Sequence, residues 1–420
     1  MNKNTDAKRL SKKAFIGAAI GTLVEYYDYA LFSIFLPIVS PLFFPADSAY
    51  QSLVKGYFVF LVAMIGRPFG AAILGHLGDV YGRPKALLIS MYGIALSTIV
   101  IGITPSSATI GIWALIIVMV AKAVQVACFG GEYNGAGIYV VEHANNKNEA
   151  FVGSLLTAVM LSGALLASLL GILLTYPFMP SWSWRIAFLL GGLIGVFGIL
   201  YRKNLAQSPY FVAADLKYDG LRALIKKFPY ELLAGIFIGG LATAPFTTVF
   251  VFITPILTTK GFLTTHQFML VQSLITLLAV LTLIPVGIFA DKKTPIFVMR
   301  SSCLLLVGLS YPLLSIVDKG NLFFIIAAMI GLVIINEIFL GPSNAYLKTI
   351  FPMQYRYRGS SISFCIGMSL FGGLTPVVEN YLYHLSGKFS VSACWLVLLG
   401  LGALFSFEKV TRKRAHFDKF

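Results

Sequence analysis

Breaking the chain at charged residues, Pro/Gly clusters and amide-rich turns leaves twelve apolar stretches, at roughly 14–40, 53–78, 85–104, 109–141, 150–178, 184–202, 231–258, 267–290, 295–316, 321–347, 359–385 and 390–408. A helix of about 20 apolar residues crosses the hydrocarbon core of a bilayer, so each stretch predicts one membrane span. The run after Lys13 stays apolar for about 25 residues, longer than the h-region of a cleaved leader, and is expected to act as its own insertion signal. The most polar internal segment, 203–230, falls at the middle of the chain. It predicts two six-helix units, 1–202 and 231–420, joined by that linker.

The interruption between the second and third stretches carries a pattern of its own, running from Arg67-Pro68 through Gly75-His-Leu-Gly78-Asp79 to Gly82-Arg83-Pro84-Lys85. Gly75, Gly78 and Gly82 remove side chains at helical spacing, which predicts close approach of a neighbouring backbone. Asp79 and Arg83 stand four apart and can pair with each other or with an adjacent helix terminus. A degenerate echo, Gly287-Ile-Phe-Ala-Asp291-Lys-Lys-Thr-Pro295, follows about half a chain later and argues for a duplicated six-helix unit with parallel halves.

Composition turns the helices into membrane spans. With 58% hydrophobic and 12% charged residues and a mean hydropathy of +0.84, the apolar surface exceeds what one soluble core can bury. A net charge of +15 would suggest nucleic acid in a soluble domain, but here the basic residues lie between spans and report topology instead. Twenty-five lysines and arginines fall in the tails and alternate loops, against five (Lys55, Arg185, Lys260, Lys319 and Lys388) on the opposite side. That bias predicts both termini in the cytoplasm. The cysteines and histidines are too scattered for a disulfide framework, metal site or catalytic triad. No phosphate-binding loop occurs that would make the single chain a primary pump. No metal, cofactor or catalytic residue is expected.

Four separated stretches resemble the metabolite:proton symporter branch of the major facilitator superfamily, which includes proline/betaine, shikimate and alpha-ketoglutarate carriers. They are Leu23-Val-Glu25-Tyr-Tyr-Asp28, Arg67-Pro68-Phe-Gly70 with the loop motif, Gly130-Gly-Glu132-Tyr-Asn-Gly with Val141-Glu142-His143-Ala, and Phe351-Pro352 with Arg356-Tyr-Arg358-Gly359 and Phe371-Gly-Gly373-Leu-Thr-Pro376. Lys122 and Val126 depart from the branch's usual Arg and Gly, and its osmosensing members' carboxy-terminal coiled coil has no counterpart. The resemblance implies an all-α membrane protein of twelve transmembrane helices in two six-helix halves, the major facilitator fold. It also implies that the loop motif closes the cytoplasmic side against the eleventh helix. The expected gate is Arg67, Gly75, Gly78, Asp79, Gly82, Arg83, Asp291, Arg356 and Arg358, with Gly359-Ser360-Ser361 starting that helix.

Ionisable groups inside spans are costly unless paired or wet, so each is a functional candidate. Glu25 and Asp28 share a face of the first helix. The resemblance brings Lys122 beside them, giving an expected Asp28–Lys122 pair for proton coupling with Glu25 close by; the alternative is an ion pair that only fixes packing. Glu132, ten residues beyond Lys122, is read as a second proton station or as a salt bridge to Arg67. Tyr26, Tyr29, Gln125, Asn134, Asn336, Glu337, Asn344 and Glu379 are the expected substrate-cavity residues. The two glutamates suit a cationic group of the substrate, or else bond to a neighbouring helix. The excess of carboxylates favours a zwitterion such as an amino acid or betaine over a dicarboxylate. The expected function is uptake of a small polar metabolite by proton symport through alternating access, by a monomer that crosses the cell (inner) membrane many times. Its expected partners are the substrate, protons and the lipid bilayer, with no nucleic acid. Alternatives are a membrane receptor or sensor that does not transport, and a proton-antiport exporter.

Overall fold

The computed structural model describes residues 12–46, 49–145, 147–176, 178–203, 205 and 220–417. The amino-terminal basic residues Lys3, Lys8 and Arg9, and most of the expected 203–230 linker, lie outside the described residues. Among the described residues the fold is all-helical, with twelve long helical segments: α1 (Lys12–Phe43), α2 (Ala49–Val80), α3 (Arg83–Ile103), α4 (Ile112–His143), α5 (Glu149–Leu174), α6 (Trp184–Arg202), α7 (Pro229–Thr258), α8 (Thr265–Lys293), α9 (Pro295–Asp318), α10 (Leu322–Ile350), α11 (Met353–Ser386) and α12 (Ala393–Phe417). From α3 onward all ten are long and apolar enough to span. Large apolar side chains such as Phe69, Leu96, Phe197, Leu274 and Phe323 face outward, as a lipid-facing surface requires.

Within the first half, α4 packs on α1, α2 and α3, while α6 packs on α1 and α3. Within the second, α7 packs on α11 and α12, and α9 on α10 and α12. The halves meet along two seams, α5 against α8 and α2 against α11, with α10 and α11 also touching α4. Glycines allow the close crossings. A Cβ on Gly239 or Gly367 would run into backbone of the facing helix in the α7–α11 pair, which is how small residues bring membrane helices together without a hydrophobic driving force. Both helices contain a π-helical segment, Thr248–Ile253 in α7 and Met368–Gly372 in α11.

The two seams end in the same device. Asp79, closing α2, accepts hydrogen bonds from the backbone N–H groups of Tyr357 (3.2 Å) and Arg358 (3.0 Å) in the first turn of α11. Asp291, near the end of α8, accepts from Ala150 (2.8 Å) and Phe151 (2.9 Å) in the first turn of α5. Neither α5 nor α11 has a capping side chain of its own. A helix N-terminus leaves N–H groups unsatisfied and carries a partial positive charge, so an aspartate of the other half caps each one.

Gly75 and Gly78 form the predicted small face: a Cβ on Gly75 would come to 2.8 Å from the Arg358 Cα, and one on Gly78 would enter the Tyr357 ring. Gly287 repeats this in the second seam, 2.9 Å from the Phe151 Cα. Gly82 does not extend that face. It lies beyond the end of α2 at a φ of 99°, where the absence of Cβ permits the turn into α3. The start of α11 also differs from expectation. After a 3-10 turn at Met353–Tyr355, the α-helical part of α11 begins at Arg356, so Ser360 lies inside it with its hydroxyl on the Arg356 carbonyl, because the cap comes from Asp79 and not from the local sequence.

Gly75→Val should therefore force α2 and α11 apart. Overpacking costs about 1–3 kcal/mol, so a single cysteine at the buried Ser360 position, in a background without native cysteines, should label on the order of tenfold faster. Unchanged labelling would contradict the close-approach role of Gly75.

Candidate functional site

The deepest polar groups of the first half divide into three buried clusters. In the first, Lys122 Nζ donates to Gln125 Oε1 (2.7 Å), and Gln125 Nε2 donates to Thr98 Oγ1 (2.8 Å) and Asp28 Oδ2 (3.4 Å). Thr98 Oγ1 also contacts Asp28 Oδ2 directly and lies 2.9 Å from the Ile94 carbonyl. The Lys122 ammonium sits 4.3 Å from the centre of the Phe32 ring, whose face attracts a cation. The expected Asp28–Lys122 pair is thus not a direct hydrogen bond: Gln125, expected only as a cavity residue, stands between them, and Asp28 Oδ1 has no hydrogen-bond partner among the described residues. This oxygen faces Gly191 of α6, where a Cβ would lie 2.8 Å away.

The second cluster holds Glu25. Arg67 Nη2 donates to Glu25 Oε1 at 2.5 Å, with both side chains buried. Glu25 is therefore no member of the Asp28 group: three residues along a helix turn it toward α2 instead of α3. Arg67 belongs here and not to the gate, since twelve residues separate it from Asp79, about 18 Å along α2. Around this pair lies a chain of rings, Tyr29–Tyr26–Tyr133–Phe364, with successive centroids 6.2, 6.3 and 5.5 Å apart. The last ring belongs to α11, so the chain crosses between halves. Asn344 of α10 donates to Tyr133 Oη at 3.0 Å, and Tyr133 Oη lies 3.0 Å from Thr157 Oγ1. Asn336 donates to Glu337 Oε1 at 3.2 Å, while Glu337 Oε2 and the carbonyl oxygens of Asn134, Asn336 and Asn344 have no partner.

The third cluster is a clamp. Arg202 reaches both oxygens of Glu132, Nη1 to Oε2 at 2.8 Å and Nη2 to Oε1, and its remaining donors take the carbonyls of Gly17, Ala18 and Leu87. Ser90 donates to Glu132 Oε2 at 2.5 Å. With both oxygens engaged, Glu132 ties α3, α4 and α6 together. Its partner is Arg202, not Arg67. Sequence reasoning passed over Arg202 because an arginine at the end of an apolar stretch looks like an interfacial anchor.

At the ends of the seams, Arg83 Nη1 donates to Asp79 Oδ1 (2.8 Å), and Glu142 lies 3.5 Å from Arg83 and 3.0 Å from Arg356. Arg358 Nε is 4.0 Å from Asp79 Oδ2. Lys348 of α10 donates to Glu149 of α5 at 2.6 Å. Each seam thus closes with a capping aspartate reinforced by ion pairs. Glu379, expected in the cavity, lies near the opposite end of α11 with Thr248 of α7.

Twelve long helical segments among the described residues, apolar on the outside and carrying buried charge within, define a multi-pass membrane protein. The chain belongs to the sugar (and other) transporter family, whose family model matches residues 14–231. It is 31% identical over 417 residues to a putative proline/betaine transporter of Staphylococcus aureus (strain COL), covering 94% of this chain and 87% of that one. It is 28% identical over 415 residues to the proline/betaine transporter of Escherichia coli (strain K12), covering 94% and 82%. Among solved structures it resembles a double Trp mutant of XylE at a TM-score of 0.80 with 14% identity, over 94% of this chain and 95% of that one. It also resembles the proton:xylose symporter XylE bound to 6-bromo-6-deoxy-D-glucose at a TM-score of 0.76 with 15% identity, over 95% of each chain. At these identities the structural likeness is one of fold.

The clamp makes a quantitative statement. Arg202→Ala leaves Glu132 buried and unpaired and should cost about 3–5 kcal/mol of stability. Adding Glu132→Gln should return part of that loss, as read by thermal unfolding of the full-length protein in lipid. Losses that simply add would show that the two side chains do not act as a pair.

Proposed function

We propose that the protein takes up a small zwitterionic metabolite, an amino acid or betaine, together with protons, by alternating access across the inner membrane. The observation that carries the proton reading is the buried chain Lys122–Gln125–Asp28. The amide of Gln125 is fixed by the ammonium at one end, so its N–H groups point at Thr98 and Asp28. When ionised, Asp28 accepts from this amide. When protonated, it no longer draws the amide and its lysine toward it. Protonation therefore alters how α1, α3 and α4 are held to one another, and by linkage their arrangement alters the affinity for the proton.

The substrate reading is supported by the ring chain from Tyr26 to Phe364 and by the charges beside it. Aromatic faces attract ammonium groups, Glu337 offers an unpaired carboxylate oxygen, and Arg67 offers a guanidinium beside the same rings. The names of the relatives, proline/betaine transporters, describe zwitterions. The excess of positive residues on the tails and alternate loops supports a cytoplasmic location for both termini and for the aspartate-capped seams. In that orientation the structure is closed toward the cytoplasm. We take the working unit to be a monomer, since each half completes the other's seams.

Reconstituted into liposomes with an imposed pH gradient, the wild-type protein should accumulate radiolabelled proline or glycine betaine. Asp28→Asn should abolish accumulation while equilibrium exchange of the same substrate continues, because exchange needs the rocking motion and no net proton movement. Accumulation by Asp28→Asn at the wild-type level would refute the coupling role. Competition by dicarboxylates and by no zwitterion would refute the substrate class.

A further inference from the structure

Glu379 is fully buried in the part of α11 remote from Asp79, and the coupling mechanism makes no use of it. Its Oε1 lies 2.7 Å from Thr248 Oγ1 of α7, and its Oε2 has no hydrogen-bond partner among the described residues. Among the described residues it has no ion-pair partner.

The hydrogen count at Thr248 is informative. The hydroxyl has one proton and two candidate acceptors, Glu379 Oε1 and the Ala244 carbonyl at 3.0 Å. If the proton goes to Ala244, as threonine hydroxyls in helices commonly donate four residues back, two acceptor oxygens would face each other at 2.7 Å unless Glu379 supplies the hydrogen. If the proton goes to Glu379, a buried carboxylate would be held by a single neutral donor, with its second oxygen bare, which is costly within a membrane span. Either assignment leads to a protonated Glu379. Thr98 presents the same arrangement to Asp28, but there Gln125 and Lys122 supply further polar contacts.

Two features lie close to this contact. Thr248 opens the π-helical segment of α7, and that of α11 ends seven residues before Glu379; such turns recur at functional sites. A cleft of about 360 Å³ between these helices is lined by Phe252, Pro255, Pro376 and Asn380, the last being the next residue after Glu379. No titratable side chain stands on α7 between Ala244 and Thr258. Beyond Glu379, Lys260 donates to Tyr383 Oη, and Asp318 accepts from the N–H groups of Phe389 and Ser390. Tyr383 stacks edgewise on His384, and the Lys388 backbone N–H bonds Ser386. None of these groups bonds Glu379. From α12 and the turn before it, the contact is Ser392 Oγ on the Glu379 backbone carbonyl.

We propose that Glu379 is a second proton-binding site, in the carboxy-terminal half, loaded while α7, α11 and α12 pack together and emptied when α7 and α11 part. It is separate from the Asp28 chain.

Infrared difference spectroscopy of the full-length protein in lipid tests the site without requiring transport. At neutral pH the wild type should show a protonated-carboxyl C=O band that Glu379→Gln lacks, and alkali should remove it. In liposomes the proton-to-substrate ratio of Glu379→Gln should fall by one relative to wild type. Absence of that protonated-carboxyl band from the wild type at neutral pH would overturn the proposal, as would loss of the band in Glu379→Gln with an unchanged ratio. A wild type that carries no protons at all would overturn both the exchange role of Glu379 and the symport reading; a protonated band that then persists through alkali would mark Glu379 as a neutral packing residue. Should Glu379→Gln fail to fold, Thr248→Val serves instead: loss of the hydroxyl contact should move the carboxyl band to higher frequency, and an unmoved band would overturn the proposal.

Discussion

A helix that begins inside a protein presents N–H groups with no partner in their own helix, and in this chain two such beginnings lie where the halves meet. Tyr357 and Arg358 at the start of α11, and Ala150 and Phe151 at the start of α5, each donate to one aspartate on the opposite half. Hydrogen bonds to a charged group contribute about 1.5–3 kcal/mol each. Two per seam, with glycine faces that let the backbones touch, are enough to decide whether this end of the bundle is closed. Because every partner lies across the seam, the interaction exists only in the closed arrangement, and separation must hand each N–H group to water.

The buried charges show two kinds of solution to the same cost. Glu132 and Arg202 satisfy each other and four helices at once, leaving nothing to rearrange. Asp28 is instead connected to Lys122 through a neutral amide and keeps one oxygen unpartnered. A clamp of the first kind ties α1, α3, α4 and α6 to one another. A chain of the second kind can change with protonation. The two kinds of cluster lie in the same half, about two helical turns apart between Gln125 and Glu132 on α4.

The spans were legible because their length is set by the bilayer and their composition has no other explanation. The first-seam motif was legible because glycine spacing and an aspartate at a helix end have few uses. What escaped were partners brought from distant sequence. The start of α11 could not be read from Gly359-Ser360-Ser361 because its capping group is Asp79, and Arg202 looked like a flank because Glu132 lies seventy residues earlier. Thr98 and Thr248 carried no signal, since a hydroxyl in an apolar helix ordinarily bonds its own backbone. The π segments likewise depend on the facing helix and leave no local trace. The second seam was read as a degenerate echo of the first, yet Asp291 repeats the geometry of Asp79 without the Gly-Arg pair, because only the glycine and the aspartate four residues later make the contact.

The most direct test of this account is a spin-label distance measurement across the aspartate-capped end in wild type, Asp79→Asn, Asp291→Asn and the double variant. Each single substitution should weaken closure by about 1–2 kcal/mol and bring a longer distance into the distribution, and the double variant should shift by about the sum of the two. A double variant with the wild-type distribution, or an Asp291→Asn variant that leaves the distribution untouched while Asp79→Asn opens it, would contradict closure by two equivalent seams.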